Sequence, residues 1–187
     1  MISKNTSIKL GTILTIVSII ASIVTPITIS TMYIGVDQTI NSLAFPNGFI
    51  KRDFNTSEPW VRYSFFIKNY NQATLNLRFD LEIQAQYYPT GAEQLIQTKF
   101  FDIKSTYQQI APAESLSIFN NVTQAYFDLQ ALQDFWNDAN SSKPYRFLMN
   151  VEFKGSYLFS LITFEVRLSS LNITDYELWG IRIWQGL

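Results

Sequence analysis

A long uncharged stretch lies near the start of this chain: no charged residue occurs from Leu10 to Val36. About 20 predominantly apolar residues are enough for a helix to cross the hydrocarbon core of a bilayer. Many of these residues are β-branched, which disfavours a helix in water, but in lipid the backbone must satisfy its own hydrogen bonds. The sequence therefore predicts one transmembrane helix over residues 10–36, in contact with membrane lipid, with Pro26 as a possible kink or end.

The charges that flank this stretch predict its orientation. Lys4 and Lys9 precede it, and the first charged residue after it is the acidic Asp37. Because positive residues are enriched on the cytoplasmic side of membrane helices, we expect residues 1–9 in the cytoplasm and the C-terminal part outside the cell membrane.

Two other interpretations of the stretch stay open. A cleavable signal peptide also has a charged start and an apolar core, but that core is usually only ~7–15 residues long and is followed by a small-residue cleavage site. No clear Ala-x-Ala site follows here. A pilin-like leader, cut after Gly11, is the second alternative.

Beyond a connector predicted over residues 37–59, the apolar pattern changes to a period of two, which is typical of half-buried strands. The clearest case alternates with polar residues over seven apolar positions: Leu75, Leu77, Phe79, Leu81, Ile83, Ala85 and Tyr87. A second case precedes it: Val61, Tyr63, Phe65 and Ile67. Further strands are predicted at 95–103, 115–122, 145–153 and 157–168, with the last two joined by a hairpin turn at Lys154-Gly155-Ser156.

One segment has helical spacing instead. Leu129, Leu132 and Phe135 recur at helical intervals, followed by Trp136, and Asp128 is placed to cap the helix. Several alternating strands with one short helix predict a mainly β fold: an immunoglobulin-like antiparallel β-sandwich over residues 60–187, behind the transmembrane helix.

The region from Trp60 to Leu168 resembles the water-stress and hypersensitive-response domain of type-2 late-embryogenesis-abundant proteins. Asn69-Tyr70-Asn71 stands where that family has an Asn-Pro-Asn-like element between two early strands, with Tyr in place of Pro. The long strand from Leu75 to Gly91 ends in a glycine turn, and the stretch 110–114 resembles the family's proline-containing segment. The resemblance implies a seven-stranded sandwich with a membrane-proximal, non-enzymatic role, and it brings no catalytic residues.

The composition excludes several kinds of catalytic and metal-binding site and argues against one kind of partner. The chain has no histidine and no cysteine, which excludes histidine-dependent triads, histidine-ligated metals and zinc–thiolate sites. A formal net charge of −1 without a basic patch argues against nucleic acid as a partner. Asp80 and Glu82 share a strand face with Arg78, and Asp134 and Asp138 flank a helical turn, so we interpret both pairs as solvated surface charges. We expect no catalytic residue, no metal and no cofactor.

Two sets of residues remain as candidate sites. Possible N-glycosylation acceptors, each in an Asn-x-Ser/Thr sequence, are Asn55, Asn121, Asn140 and Asn172. The aromatic C-terminus is expected to form a last strand, or else an exposed edge that contacts a partner or the bilayer through Trp179, Ile181, Ile183 and Trp184.

The sequence thus favours a membrane-anchored structural or binding module that contacts another protein of the cell envelope. The first alternative is a subunit of a surface filament or its stator, either pilin-like or archaellum-stator-like. The second is a carboxylate-dependent hydrolase of envelope glycans.

Overall fold

A computed structural model describes residues 4–46, 50–174 and 181–182. In these ranges the chain forms two α-helices, ten β-strands and a short 3-10 helix. The helices are α1 (Lys4–Ser42) and α2 (Leu129–Asp138), with the 3-10 helix at Gln124–Tyr126. The strands are β1 (Ala44–Phe45), β2 (Ile50–Asp53), β3 (Trp60–Lys68), β4 (Leu75–Tyr87), β5 (Ile96–Lys104), β6 (Gln108–Ile110), β7 (Ser115–Val122), β8 (Arg146–Tyr157), β9 (Ile162–Asn172) and β10 (Ile181–Arg182).

The strands build two antiparallel sheets, each organised around one long strand. In the first sheet, β3 pairs with β7, and the short strands β1 and β2 also pair with β3, while β10 pairs with β1. In the second, β4 pairs with β8, β8 pairs with β9, and β5 and β6 both pair with β4. Since a strand has only two edges, β5 and β6 share the edge of β4 that β8 leaves free.

The two sheets pack against each other through aromatic side chains. The predicted alternation is confirmed in both long strands, where every second residue of β3 and β4 is buried. The Phe65 ring of β3 lies 4.8 Å from Phe79 of β4 and 5.1 Å from Phe153 of β8, measured between ring centroids, with edge-on geometry. Such pairs add about 0.5–1.5 kcal/mol each beyond the burial of their apolar area.

The predicted turn at Lys154-Gly155-Ser156 is wrong. β8 continues through these residues to Tyr157, and the turn to β9 lies at residues 158–161. Gly155 is a close-approach residue rather than a turn residue, because a Cβ atom there would lie 2.1 Å from Cζ of Phe164 on β9. The ring of Phe164 occupies the space that a side chain would need.

α1 is longer than the predicted 10–36 span. It passes through Pro26 without ending and continues to Ser42, so the region expected to be a connector contains the last part of α1 and then β1 and β2. Hydroxyl groups near the proline bond back to the helix: Thr28 Oγ1 donates to the carbonyl of Val24, and Thr31 Oγ1 to that of Ile27, both at 2.9 Å. The helix is long and apolar enough to cross a membrane.

α2 forms where helical spacing predicted it. The side chain of Asp128 accepts a hydrogen bond from the Ala131 amide at 3.0 Å, which confirms the N-cap. Phe135 is fully buried, and its ring lies 5.0 Å from Tyr87 at the end of β4. α2 therefore covers the end of the sheets where β4 finishes.

Candidate functional site: the junction between helix and sheets

α1 reaches the sheets at the other end, where β3 finishes and β4 begins. Ser42 Oγ accepts a hydrogen bond from the Lys68 amide at 2.8 Å, which ties the last turn of α1 to the end of β3. One turn earlier, Thr39 is fully buried. Its Oγ1 donates to the Gly35 carbonyl at 2.7 Å and accepts from the Tyr70 amide at 3.0 Å. The helix is thus bonded to the last residue of β3 and to the start of the loop that follows it.

Asn69 organises this loop. It is fully buried, and its side-chain amide group donates to the carbonyls of Ala73 and Ile110, each at 2.9 Å. Its Oδ1 accepts from the Asn71 amide, also at 2.9 Å. The backbone of Asn69 is paired as well, with Glu114 and Ala113. A buried amide side chain satisfied on every side fixes the conformation of the segments around it.

Tyr157 brings the second sheet into the same cluster. Its hydroxyl oxygen lies 3.1 Å from Asn69 Oδ1 and 3.2 Å from Thr39 Oγ1. Burial raises the pKa of the Tyr157 phenol, so the group keeps its proton and can donate it to one of these oxygens. Thr39, Asn69 and Tyr157 therefore join α1, the loop and β8 in a single buried polar cluster, which we call the junction cluster.

The loop also follows α1 outward, beyond the ends of the strands. Asn71 Nδ2 donates to the Met32 carbonyl at 3.0 Å. Gly35 faces the same loop residue, and a Cβ atom at Gly35 would lie 3.1 Å from the Cα of Asn71. The helix and the loop backbone can approach this closely because position 35 has no side chain. The contacts from Met32 to Ser42 hold α1 in one direction relative to the sheets.

Sequence reasoning found part of this cluster. It singled out Asn69 and Asn71 as a turn and as the element shared with the resembled family. It missed Thr39, which stood in the expected connector, and Tyr157, which stood at the start of a predicted strand. A threonine near the end of a long helix gives no local signal of a partner 118 residues away along the chain.

The predicted glycosylation acceptors differ in exposure. Asn121 and Asn172 are exposed, while Asn55 and Asn140 are half-buried. In three of them the side-chain oxygen accepts the amide two residues further on, at 3.0 Å for Asn55, 2.9 Å for Asn140 and 3.0 Å for Asn172. The Nδ2 atom of Asn55 donates to Asp53 Oδ2 at 3.0 Å and to the Glu58 carbonyl at 3.3 Å. A glycan replaces one of the two Nδ2 hydrogens, so its attachment would remove one of these bonds.

The C-terminal candidates are only partly described. Trp179, Ile183 and Trp184 lie outside the described residues. Ile181 belongs to β10, whose backbone pairs with Phe45 of β1 at the edge of the first sheet. Its role in partner contact stays a prediction.

Three of the acidic residues considered for chemistry, Asp80, Glu82 and Asp134, have local side-chain partners. Arg78 Nη2 lies 2.9 Å from Asp80 Oδ2, and Lys99 Nζ lies 3.7 Å from Glu82 Oε2. On α2, Gln130 Nε2 donates to Asp134 Oδ1 at 2.7 Å. Each of these three carboxylates therefore has a cation or an amide group beside it on the surface.

Glu152 is the centre of the charged face of the second sheet. The hydrogen bond from Lys154 holds the pKa of Glu152 at about 2, with Arg167 adding to the effect against the opposing influence of burial. Arg167 Nε also lies 2.6 Å from Glu165 Oε1. These charges lie on neighbouring strands β8 and β9, where opposite charges facing each other stabilise the pairing.

We expect substitution Thr39→Val to lower the free energy of unfolding of the sheets by about 1–3 kcal/mol, because valine keeps the shape but leaves the Tyr70 amide without its acceptor. Urea unfolding of the full chain in detergent micelles, followed by circular dichroism, measures this. The matched control is Thr31→Val, which removes only an exposed bond within α1. Equal losses for the two variants would contradict a special role for the junction cluster.

The lowered pKa of Glu152 predicts that the free energy of unfolding falls at acidic pH. Its pKa in the folded chain, about 2, lies below the value of ~4.3 expected when unfolded, so its ionised form stabilises the fold above that pH and the stabilisation is lost as the pH falls toward 2. Between pH 6 and pH 3, wild-type unfolding free energy should fall by about 1 kcal/mol more than that of Glu152→Gln, a figure reduced for solvent screening. Parallel pH curves for the two proteins would refute this.

Comparisons with known proteins find no matching family model and no matching curated protein. Solved structures with remote likeness include the sporulation control protein Spo0M of Bacillus subtilis, at 12% identity and TM-score 0.31 over 67% of this chain and 43% of that one. A FixG-related protein of Vibrio parahaemolyticus shows 15% identity and TM-score 0.31 over 66% and 93%. A β-glucuronidase of Bacteroides uniformis shows 12% identity and TM-score 0.35 over 67% and 12%. The chain spans less than half of Spo0M. Likeness at these scores carries no argument about function.

Proposed function

We propose that this chain is a single-pass protein of the cell membrane, with residues 1–9 in the cytoplasm and an immunoglobulin-like β-sandwich outside. The sandwich acts as a structural or binding module that contacts another envelope protein or a subunit of a complex. The observation that carries this proposal is the junction cluster, which fixes the sandwich to the apolar helix through buried hydrogen bonds at Thr39, Asn69 and Tyr157.

Helix length supports a position directly on the bilayer. At ~1.5 Å per residue, the exposed apolar part of α1 from Leu14 to Tyr33 covers ~30 Å, about the thickness of the hydrocarbon core. The loop after β3 meets the helix at the end of this part, where Asn71 Nδ2 donates to the Met32 carbonyl. No flexible segment separates the lipid-spanning part from the sandwich. A tether that only localised an enzyme or a soluble domain would not need such a fixed attachment.

The outer face of the second sheet supports a non-enzymatic role. Its acidic side chains Asp80, Glu82 and Glu152 each lie beside a lysine or arginine. A glycan hydrolase needs one carboxylic acid with a raised pKa and one ionised carboxylate at a defined separation. The pKa of Glu152 moves in the opposite direction from the one such an acid requires.

The same rigid attachment also favours the alternative of a filament or stator subunit. A helix bonded directly to its sandwich holds the sandwich at a defined position relative to the membrane. In the pilin-like version the chain is cut after Gly11, which removes both lysines that precede the uncharged apolar stretch. The intact mass of the purified chain separates this version from the uncleaved anchor.

Orientation is tested by labelling single introduced cysteines. The chain has no cysteine of its own, so only the introduced residue can react. In intact cells, a membrane-impermeant maleimide should label Thr56→Cys, which lies in an exposed loop before β3, and should label Ser3→Cys only after lysis. Labelling of Ser3→Cys but not Thr56→Cys in intact cells would reverse the orientation. Labelling of neither, with the chain recovered in the cytosol, would end the proposal.

Partner contact is tested by native mass in mild detergent. We expect wild-type chain from its own membranes to migrate in a complex larger than the chain in its micelle. Replacing both Trp179 and Trp184 by Ala should reduce the recovered complex several-fold. The matched control is Phe119→Ala, which removes an exposed aromatic ring from β7. A wild-type chain that migrates alone contradicts the binding module, and equal losses in both variants contradict the C-terminal contact.

A further inference from the structure

The turn between β8 and β9 is an apolar tip. It consists of Leu158, Phe159, Ser160 and Leu161, and we refer to it as the β8–β9 tip. Phe159 is 100% exposed and Leu161 81% exposed. No charged residue occurs between Lys154 and Glu165. Single exposed apolar residues are common on soluble proteins, but two large ones at the end of a projecting hairpin form a surface suited to an apolar environment.

The backbone of the tip is unusual for these residue types. Leu158, Phe159 and Ser160 all have positive φ, at 50°, 55° and 70°. Hairpin turns with this geometry normally use Gly, Asn or Asp, which adopt the left-handed region with little strain. Large apolar residues in this region are outliers, and strained positions of this kind cluster at sites of function. The chain thus keeps Leu and Phe at positions where the backbone alone would favour other residues.

The tip lies at the end of the sheets from which α1 departs. Tyr157 is the last residue of β8, and its hydroxyl contacts Thr39 of α1. The loop at Asn71 reaches further along α1, to Met32. Two exposed aromatic residues belong to the same end, Tyr33 on α1 and Tyr70 in the loop, which are 61% and 47% exposed. Tyrosine is enriched at the membrane–water interface, where its ring lies in apolar surroundings and its hydroxyl in water.

We propose that the β8–β9 tip inserts into the outer boundary between lipid headgroups and acyl chains, in the same bilayer that α1 crosses. This inference rests on the proposed function, because it requires a bilayer at this end of the sheets. A single helix fixes the distance of the sandwich from the bilayer. The helix and the sandwich, moving as one unit, can still tilt in the bilayer and rotate about the helix axis. A second apolar contact beside the helix removes that freedom and presents one face of the sandwich to partners.

The test measures the depth of a nitroxide spin label attached to single cysteines of the full chain, with one chain in each phosphatidylcholine nanodisc. Three single-cysteine variants carry the label: Ser160→Cys in the tip, Ile19→Cys within α1, and Thr56→Cys at the opposite end of the sandwich. Frequent collisions of the label with molecular oxygen indicate that the label lies in lipid. Frequent collisions with a water-soluble nickel chelate indicate that it lies in water. We expect the nickel chelate to reach position 160 several-fold less than position 56, with oxygen favoured at both 160 and 19.

The outcomes separate this inference from the proposed function. If position 19 is protected and position 160 is as accessible as position 56, α1 spans the bilayer but the tip does not insert, and the inference is wrong. If the nickel chelate reaches position 19 freely, the anchor itself fails. Protection of position 160 only in discs with two chains identifies a second copy as its cover and overturns the lipid contact.

A second variant checks that the apolar side chains cause the insertion. Phe159→Asp together with Leu161→Asp, in the Ser160→Cys background, should return the label to water, since charged residues are expelled from the apolar layer. Both positions are exposed, so the sheets should stay folded, which circular dichroism verifies. A label that stays protected in this variant overturns the assignment of these two residues as the lipid contact.

Discussion

The arrangement of this protein depends on a buried polar cluster between a membrane-type helix and two β-sheets. Burying hydroxyl and amide groups is unfavourable unless each finds a partner, and here Thr39, Asn69 and Tyr157 satisfy one another and the nearby backbone. Such bonds are directional, whereas apolar contacts are not. The cluster therefore sets the angle at which the helix meets the sheets, which aromatic packing alone would leave poorly defined.

This attachment makes the two ends of the paired sheets different. One end carries the helix, the loop around Asn69 and the β8–β9 tip. The other is covered by α2, where Phe135 packs on Tyr87 and Trp136 donates its Nε1 hydrogen to the Phe54 carbonyl at 2.7 Å. Because the helix direction is fixed, a membrane crossed by α1, as proposed, would leave the second end of the sheets farther from the bilayer than the first.

The faces of the second sheet serve different purposes. Its inner face supplies Phe79 and Phe153 to the aromatic core shared by both sheets. Its outer face carries alternating charges on β4, β8 and β9, with Glu152 contacted by Lys154 and Arg167. Exposed ion pairs of this kind contribute little to stability, typically below about 1 kcal/mol each, and mainly keep the surface soluble and the strand register defined.

Features that depend on a short, local pattern could be predicted from the sequence alone. An uncharged apolar stretch indicated the helix, strict alternation gave β3 and β4, and Asp128 marked the start of α2, because each of these signals lies within a few neighbouring residues. The end of α1, the turn after β8 and the attachment of the helix depend instead on contacts between distant parts of the chain. α1 extends to Ser42 because its last turns pack on the sheets, and β8 passes Gly155 because Phe164 fills the space there. The contact between Thr39 and Tyr157 joins residues 118 positions apart, and no local pattern encodes such a pairing.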